Sequence, residues 1–101
     1  MLNIKKDAAK KYLAKVPGEK SFWVNKGPII GSLEELPPAI KKLKKETFLH
    51  HVNKNKNDFA KWISEVIGDT GLAKQIGAKK DKTSIIGYIS KRLAVLKKAA
   101  K

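Results

Sequence analysis

NDFAKWISEVIG, residues Asn57 to Gly68, predicts the amphipathic α-helix around which the rest of the chain must pack. Its apolar residues recur at i, i+3, i+4, i+7 and i+8, which places them on one helix face. Asn57 or Asp58 can accept hydrogen bonds from the free N–H groups at the start, and Gly68 can end the helix in the left-handed conformation. A helix of this length is not stable alone in water, so its apolar face must be buried. That face consists of Phe59, Trp62, Ile63, Val66 and Ile67.

Residues 21–31 predict a short β-hairpin that lies on the helices. Two apolar runs, SFWV and PIIG, flank the turn NKG, in which Gly27 can supply a positive φ. Alternation along the first strand places Phe22 and Val24 on one face and Trp23 on the other. Because a two-stranded hairpin is marginal by itself, we expect it to pack on the helical core.

The segment after the hairpin begins with a capping-box pattern and then contains two prolines. Ser32 and Glu35 have the spacing of N-cap and N3 residues. Pro37 and Pro38 leave two outcomes, since a proline beyond the first turn removes a backbone hydrogen bond. One is a kinked helix over residues 33–46, and the other, which we favour, is a single turn followed by a helix that begins near Pro38.

The remaining helices are shorter or more basic. Residues 47–52 predict a helical turn, NKNKN a polar loop, and Asp69 can cap a short helix that ends at Gly77. Asp81 or Thr83 starts the last helix. Its apolar arc consists of Ile85, Ile86, Ile89, Leu93 and Leu96.

The N-terminal segment, residues 1–19, is either a basic helix or a basic tail that orders on binding. The spacing of its apolar residues favours the helix. Residues 20–101 then form one helical domain, with the hairpin at 21–31. The predicted fold is therefore mainly α, a small bundle of four to five helices with a short N-terminal β-hairpin.

Composition excludes several classes of protein. A chain of 101 residues supports one modest core, and it contains no cysteine for disulfides or thiolate chemistry. There is no apolar run long enough for a membrane span and no apolar signal-peptide core. We therefore expect a cytoplasmic protein.

Charge is the strongest functional signal in the sequence. The net charge is +14, with 23 basic residues against 9 acidic ones. The excess lies in residues 39–56, with six lysines and one acid, in residues 74–101, with nine basic residues and one acid, and at the N-terminus. Self-repulsion on this scale destabilises a compact state, and a polyanion relieves it. All but Arg92 are lysines, which neutralise phosphates without the bidentate geometry that reads guanine.

A run within residues 48–73, FxxHV followed by NDFxxWIxxVIxDxxLA, resembles an uncharacterised archaeal and bacterial domain family. The similarity covers about residues 20–95. Further upstream the same pattern includes Phe22, Val24, Gly27, Leu33 and Leu36. The resemblance implies a shared fold and an evolutionary relationship but no activity. It also implies that the lysine-rich surface is specific to this protein and is added to a generic fold. By analogy, a small basic archaeal protein of this kind looks like a nucleoid-associated protein.

No residue pattern predicts an enzyme or a metal site. Adjacent histidines on a helix point about 100° apart, so His50 and His51 do not form a ligand pair. We expect His51 to hydrogen-bond to the Asn57–Asp58 turn. Asp58, Glu65 and Asp69 could form a carboxylate cluster, but capping and solvation explain Asp58 and Asp69 better. We therefore expect no catalytic residues, no metal, no cofactor and no small-molecule substrate.

Two further features have both a functional and a structural interpretation. Trp23 can stack on bases, but we favour a role in covering the helical core. A strip of small residues on the last helix, bordered by Lys91 and Lys98, either admits a phosphate backbone or partner helix, or is a plain solvent-facing surface. The strip consists of Gly87, Ser90 and Ala94.

These observations predict sequence-independent binding of double-stranded DNA by a nucleoid-type protein, through lysine–phosphate contacts. The alternatives are an RNA- or ribosome-associated protein and an interaction module for an acidic protein. An anionic membrane surface ranks last, since the final helix has no tryptophan or phenylalanine anchor. Oligomeric state and the mode of DNA binding, whether bending, bridging or coating, stay open. The predicted phosphate contacts are Lys41, Lys42, Lys44, Lys45, Lys54, Lys56, Lys79, Lys80, Lys82, Lys91, Arg92, Lys97 and Lys98.

Overall fold

The computed structural model describes residues 4–101 and confirms a mainly helical fold with a short hairpin near the N-terminus. Within these residues there are six α-helices, rather than four or five, and two short hairpins rather than one. In chain order the elements are α1 (Lys6–Leu13), β1 (Phe22–Trp23), β2 (Ile29–Ile30), α2 (Leu36–Lys42), α3 (Lys45–His51), β3 (Val52–Asn53), β4 (Lys56–Asn57), α4 (Asp58–Trp62), α5 (Thr70–Gly77) and α6 (Lys82–Ala99).

Helix α4 and the π-helical turn that continues it, Ile63–Ile67, lie in the core as the sequence predicts. The Asn57 side chain accepts a hydrogen bond from the Ala60 N–H at 3.0 Å, and Gly68 ends the element with φ 95°. Phe59 is fully buried, and truncating such a phenylalanine typically costs about 3–5 kcal/mol. The other buried members of the stripe are Trp62, Ile63 and Ile67, and Val66 is partly buried.

The π-helical turn is a feature that apolar periodicity does not predict. The Gly68 N–H donates to the Ile63 carbonyl, five residues earlier, at 2.7 Å. A π turn contains this wider hydrogen-bond spacing and shifts the following chain relative to a regular helix. The stripe stays buried because the insertion lies at its C-terminal end.

Helix α6 is the longest helix, and it packs against α1, α2 and α5. Asp81, not Thr83, caps its start, because the Asp81 carboxylate accepts a hydrogen bond from the Ser84 N–H at 2.9 Å. Ile86, which the sequence places on the apolar arc, is only partly buried. The buried face consists of Ile85, Ile89, Leu93 and Leu96.

The first hairpin forms as predicted, but its turn does not. Lys26, and not Gly27, has the positive φ, at 58°. Gly27 is required for space instead, since a Cβ there would lie 2.7 Å from Cγ1 of Val24. Phe22 and Val24 are buried while Trp23 faces outward, as strand alternation predicts.

The two prolines lie in the first turn of α2, after a 3-10 turn over Leu33–Glu35. This confirms the favoured outcome of a turn followed by a helix, although the helix begins at Leu36, two residues before Pro38. The first turn has no intrahelical partners for its N–H groups, so Pro37 and Pro38 cost no hydrogen bond there.

The capping box predicted from Ser32 and Glu35 takes a different form. The Ser32 hydroxyl donates to the Glu35 carboxylate at 2.7 Å and accepts no hydrogen bond from a helix N–H. The other carboxylate oxygen of Glu35 accepts from the Gly31 N–H at 3.3 Å. The glutamate therefore holds the chain that enters the turn.

Between the two N-terminal alternatives, helix and tail, the structure has the helix α1. Residues 1–3, which the prediction also covered, lie outside the described range. Ala9 is fully buried, and α1 packs against α6. The Val16 N–H then donates to the Gly31 carbonyl at 2.8 Å, which joins the N-terminal segment to the end of the first hairpin.

The segment predicted as a polar loop contains the second hairpin, β3–β4, which ends at the start of α4. Just before it, His51 makes the predicted contact with the Asn57–Asp58 turn, because its Nδ1 lies 3.0 Å from Oδ2 of Asp58. Its Nε2 accepts the Asn25 N–H at 3.0 Å, so Nδ1 carries the proton. This neutral ring joins the turn of the first hairpin to α4.

Within residues 4–101, no helix has both the length and the apolar character that crossing a bilayer requires.

Candidate nucleic-acid interface

Four predicted phosphate contacts lie at the junction between α2 and α3. Lys41 and Lys42 are in the last turn of α2, and Lys44 and Lys45 are the N-cap and first residue of α3. Leu43, between them, is extended, with φ −67° and ψ 139°. The helix dipole favours the first two cations but disfavours the other two, so local structure does not account for this cluster.

A groove of about 390 Å³ runs between this junction and the turn of the first hairpin. Lys26, from the hairpin turn, and Lys42 and Lys44, from the junction, line it together with apolar side chains. Lys82, at the start of α6, donates from Nζ to the Leu43 carbonyl at the same junction. The fold thus lines one groove with lysines from two separate segments and brings Lys82 to the same junction; we call this set, with Lys41 and Lys45, the basic groove.

Lys26 is the member that the sequence analysis missed. It is isolated in a nearly neutral stretch, so its segment gave no charge signal. Only the docking of the hairpin against α2 brings it to the groove. Lys26 itself has the left-handed backbone conformation. The sequence predicted that conformation for Gly27, because glycine is the residue type that adopts it most readily.

Asp69 is the one buried acidic residue among residues 4–101, and it is fully paired. The Asp69 carboxylate is 2% exposed and accepts hydrogen bonds from Nε and Nη2 of Arg92, at 2.7 and 3.0 Å. It also accepts the Leu72 N–H at 3.3 Å, which caps α5. Arg92, a predicted phosphate contact, is therefore bound to Asp69 and is not part of the basic groove.

Few of the lysines are neutralised in the same way. Among residues 4–101, three of the 23 basic side chains form an ion pair with a carboxylate. They are Arg92, Lys56 with Asp58, and Lys97 with Glu34. Five of the nine carboxylates form caps, side-chain hydrogen bonds or ion pairs, and most of the surface lysines have no carboxylate within ion-pair distance among residues 4–101.

The other predicted contacts are spread over the molecule. Lys79 lies over the Tyr88 ring, 5.4 Å from its centroid. Lys91 lines a shallow depression with Ser84, Gly87 and Tyr88 on α6. The small residues of the predicted strip are exposed there. Three further exposed lysines lie apart, Lys54 in a turn, Lys80 in the loop before α6 and Lys98 near the end of α6.

Three carboxylates have pKa values below their usual range. Burial raises the pKa of Asp58, but hydrogen bonds from Lys56 and His51 outweigh it. The Ser32 hydroxyl is the main cause that lowers the pKa of Glu35, against the opposing effect of burial. The Ser84 N–H lowers the pKa of Asp81. These groups stay ionised well into the acid range and keep their structural hydrogen bonds.

The two tryptophans have opposite environments. Trp62 is buried, and its Nε1 donates to the Lys20 carbonyl at 2.8 Å. Trp23 is 66% exposed, so the favoured interpretation that it covers the core is wrong. Phe22 fills that role instead, stacked on Phe59 with ring centroids 4.8 Å apart. A hairpin this short turns one aromatic inward and its neighbour outward.

Within the described residues there is no group of three His, Cys, Asp or Glu side chains placed to hold a metal. His50 and His51 meet edge to face, with ring planes at 87°, and both nitrogens of His51 have partners.

Comparisons with protein-family models, with curated proteins and with solved structures find no match for this chain. The resemblance of residues 20–95 to an uncharacterised archaeal and bacterial family therefore stays a prediction from the sequence.

Proposed function

We propose that this protein binds double-stranded DNA without sequence preference, as a small architectural protein of the nucleoid or chromatin type. The observation that carries the proposal is the basic groove, where lysines from the first hairpin and from the α2–α3 junction line one cleft, next to Lys82, with no carboxylate partner among residues 4–101. Such lysines displace the counterions condensed on DNA, and the release of these ions drives binding.

Two features favour phosphate contacts over base recognition. The groove lysines are compact point charges, which suit phosphates and do not read base edges bidentately. The one arginine of the chain, which has the fork geometry for guanine, is bound at two nitrogens to the buried carboxylate of Asp69. We therefore expect similar affinity for unrelated duplexes.

The test is a fluorescence-anisotropy titration of labelled duplexes of unrelated sequence, between about 50 and 200 mM salt. If about six phosphates are neutralised, the logarithm of the binding constant should fall with the logarithm of salt concentration with a slope near −5. Affinities for the duplexes should agree within about twofold at each salt concentration. Binding that is insensitive to salt, or absent at low salt, overturns the proposal.

The same titration with a structured RNA as competitor separates duplex DNA from RNA as the partner. An RNA helix has a different groove shape and presents 2′-hydroxyl groups. If the RNA displaces the duplex at much lower concentration than unlabelled duplex does, the protein is an RNA-binding one.

A further inference from the structure

The outer face of the first hairpin is an apolar surface with an aromatic side chain. Trp23 and Ile29 face each other across β1 and β2, and they are 66% and 52% exposed. These are two of the four large apolar side chains exposed within the described residues, the others being Leu49 and Val95. Exposing these two adjacent apolar side chains to water costs free energy, and the rest of the described fold leaves them exposed.

This apolar pair adjoins the basic groove. Ile29 lines a shallow cleft with Pro28 and Lys42, and both of these residues also line the groove. The hairpin therefore presents Lys26 at its turn and Trp23 on its outer face. Trp23 is the cross-strand partner of Ile29, which lines the cleft next to the groove.

Charge near Trp23 favours a base over a phosphate at this position. A depression of about 280 Å³ beside the indole is lined by Lys61, Glu65 and Asp58. Asp58 is paired with Lys56, and Lys61 offsets Glu65, so this depression offers no excess positive charge to hold a phosphate, whereas a base carries no net charge and needs none. Phosphates are thus directed to the groove and a base to Trp23.

We propose that Trp23 stacks on an unpaired base of a DNA strand whose phosphates lie in the basic groove. The protein then prefers DNA that contains a single-stranded segment, such as a gap or an overhang, to a continuous duplex. This inference rests on the proposed function and specifies which form of DNA it favours. Stacking on an aromatic side chain is tolerant of base identity, which fits binding without sequence preference.

The first experiment compares the affinity of Trp23→Ala for a single-stranded thymidine oligonucleotide and for a blunt duplex. Loss of one stacked base should lower the single-strand affinity about 5- to 150-fold, while the duplex affinity changes less than about twofold. Trp23→Phe keeps an aromatic face and should restore most of the single-strand affinity. Val95→Ala, which removes an exposed apolar side chain from α6, is the matched control and should change neither affinity.

Tryptophan fluorescence gives a second, direct measurement. In Trp62→Phe, Trp23 is the sole tryptophan, and stacking should quench its emission on addition of the thymidine oligonucleotide but not of the duplex. If that variant does not fold, the difference between wild-type and Trp23→Phe spectra isolates the same signal. Unchanged emission on single-strand binding overturns the inference.

Two other results also overturn the inference, and they differ from failure of the proposed function. Equal losses of single-strand and duplex affinity in Trp23→Ala show no preference for an unpaired base. Concentration-dependent Trp23 emission without DNA, together with a dimer in sedimentation velocity, shows that a second copy of the chain covers the hairpin. In both cases salt-dependent duplex binding survives, whereas loss of all DNA binding removes both proposals.

Discussion

The Asp69–Arg92 pair and the basic groove both hold positive charge, but only the first matches it with a carboxylate. In the pair, a carboxylate that is 2% exposed meets a guanidinium at two nitrogens. In the groove, Lys26, Lys42 and Lys44 line one cleft and have no carboxylate partner among the described residues. Positive charge thus stabilises the fold in the Asp69–Arg92 pair, whereas in the basic groove it is available to a partner.

Burial explains the difference. A carboxylate taken out of water needs charged or hydrogen-bonding partners, so Asp69 is stable only because Arg92 and the Leu72 N–H surround it. Exposed ammonium groups keep their water and need no partner to fold. Their mutual repulsion is the cost that remains, and a phosphate polymer relieves it.

The largest effect should come from removing the groove charges. Changing Lys41, Lys42, Lys44 and Lys45 to glutamine should reduce the magnitude of the salt slope by about 3.6, since each phosphate contact contributes about 0.9. At about 0.15 M salt, that corresponds to roughly a thousandfold loss of duplex affinity. The loss should be equal for unrelated duplexes, and urea denaturation should show unchanged or higher stability, because like charges are removed.

The matched control changes four N-terminal lysines, Lys5, Lys6, Lys10 and Lys11, to glutamine. It lowers the chain's net charge of +14 by four, as the groove variant does. All four are exposed and lie in or next to α1. We expect a clearly smaller loss of affinity than for the groove variant. Equal losses would mean that net charge alone attracts DNA, and the groove would have no special role.

The second prediction concerns the paired region. Asp69→Asn leaves Arg92 without its carboxylate in a site where its side chain is 21% exposed. We expect a loss of about 3 kcal/mol in the free energy of unfolding, at the lower end for a broken buried pair because Arg92 keeps some water. Urea denaturation measures this. The duplex affinity of the folded protein should stay within about twofold of wild type.

Glu34→Gln is the control for exposure, since it breaks the Lys97–Glu34 pair in which the side chains are 51% and 60% exposed. An exposed pair contributes less than about 1 kcal/mol, so this variant should be nearly as stable as wild type. If Glu34→Gln and Asp69→Asn lower the free energy of unfolding by the same amount, burial does not determine how much a charge pair contributes to stability.

The parts of the fold that were predictable have local causes. The buried stripe of α4 follows from apolar spacing, and the caps at Asn57, Asp69 and Asp81 each contact an N–H three residues away. The contact of His51 with the Asn57–Asp58 turn also joins residues close in sequence. Periodicity and capping act over one or two helical turns, and sequence patterns record them directly.

The parts that were missed depend on packing between distant segments. Arg92 meets Asp69 across 23 residues because α5 packs on α6, and charge counting placed it on the surface. Lys26 reaches the groove because its hairpin docks beside α2. Trp23 is exposed because Phe22 takes the inner position. Strand alternation places the two side chains on opposite faces but does not determine which face lies against the core.

The smallest predicted effect tests a carboxylate between the two extremes, Asp58, whose side chain is 29% exposed and which contacts both His51 and Lys56. Burial raises its pKa, yet the two hydrogen bonds outweigh burial and hold the pKa below the usual 3.8. Because the folded-state pKa is the lower one, the unfolded chain binds the proton first as the pH falls. The stabilisation from Asp58 is therefore complete above pH 3.8 and is lost as the pH falls through the folded-state pKa.

Asp58→Asn should accordingly cost about 1 kcal/mol at neutral pH, since an amide oxygen in the place of Oδ2 can still accept the hydrogen bonds of His51 and Lys56 but carries no charge. The difference in stability between wild type and variant should shrink as the pH falls below 3.8, and urea denaturation over that range measures it. A constant difference across the acid range would mean that the Asp58 charge does not hold the turn. Its contact with His51 would then stabilise the fold through packing alone, and Asp58 would belong with neither the paired nor the unpaired charges.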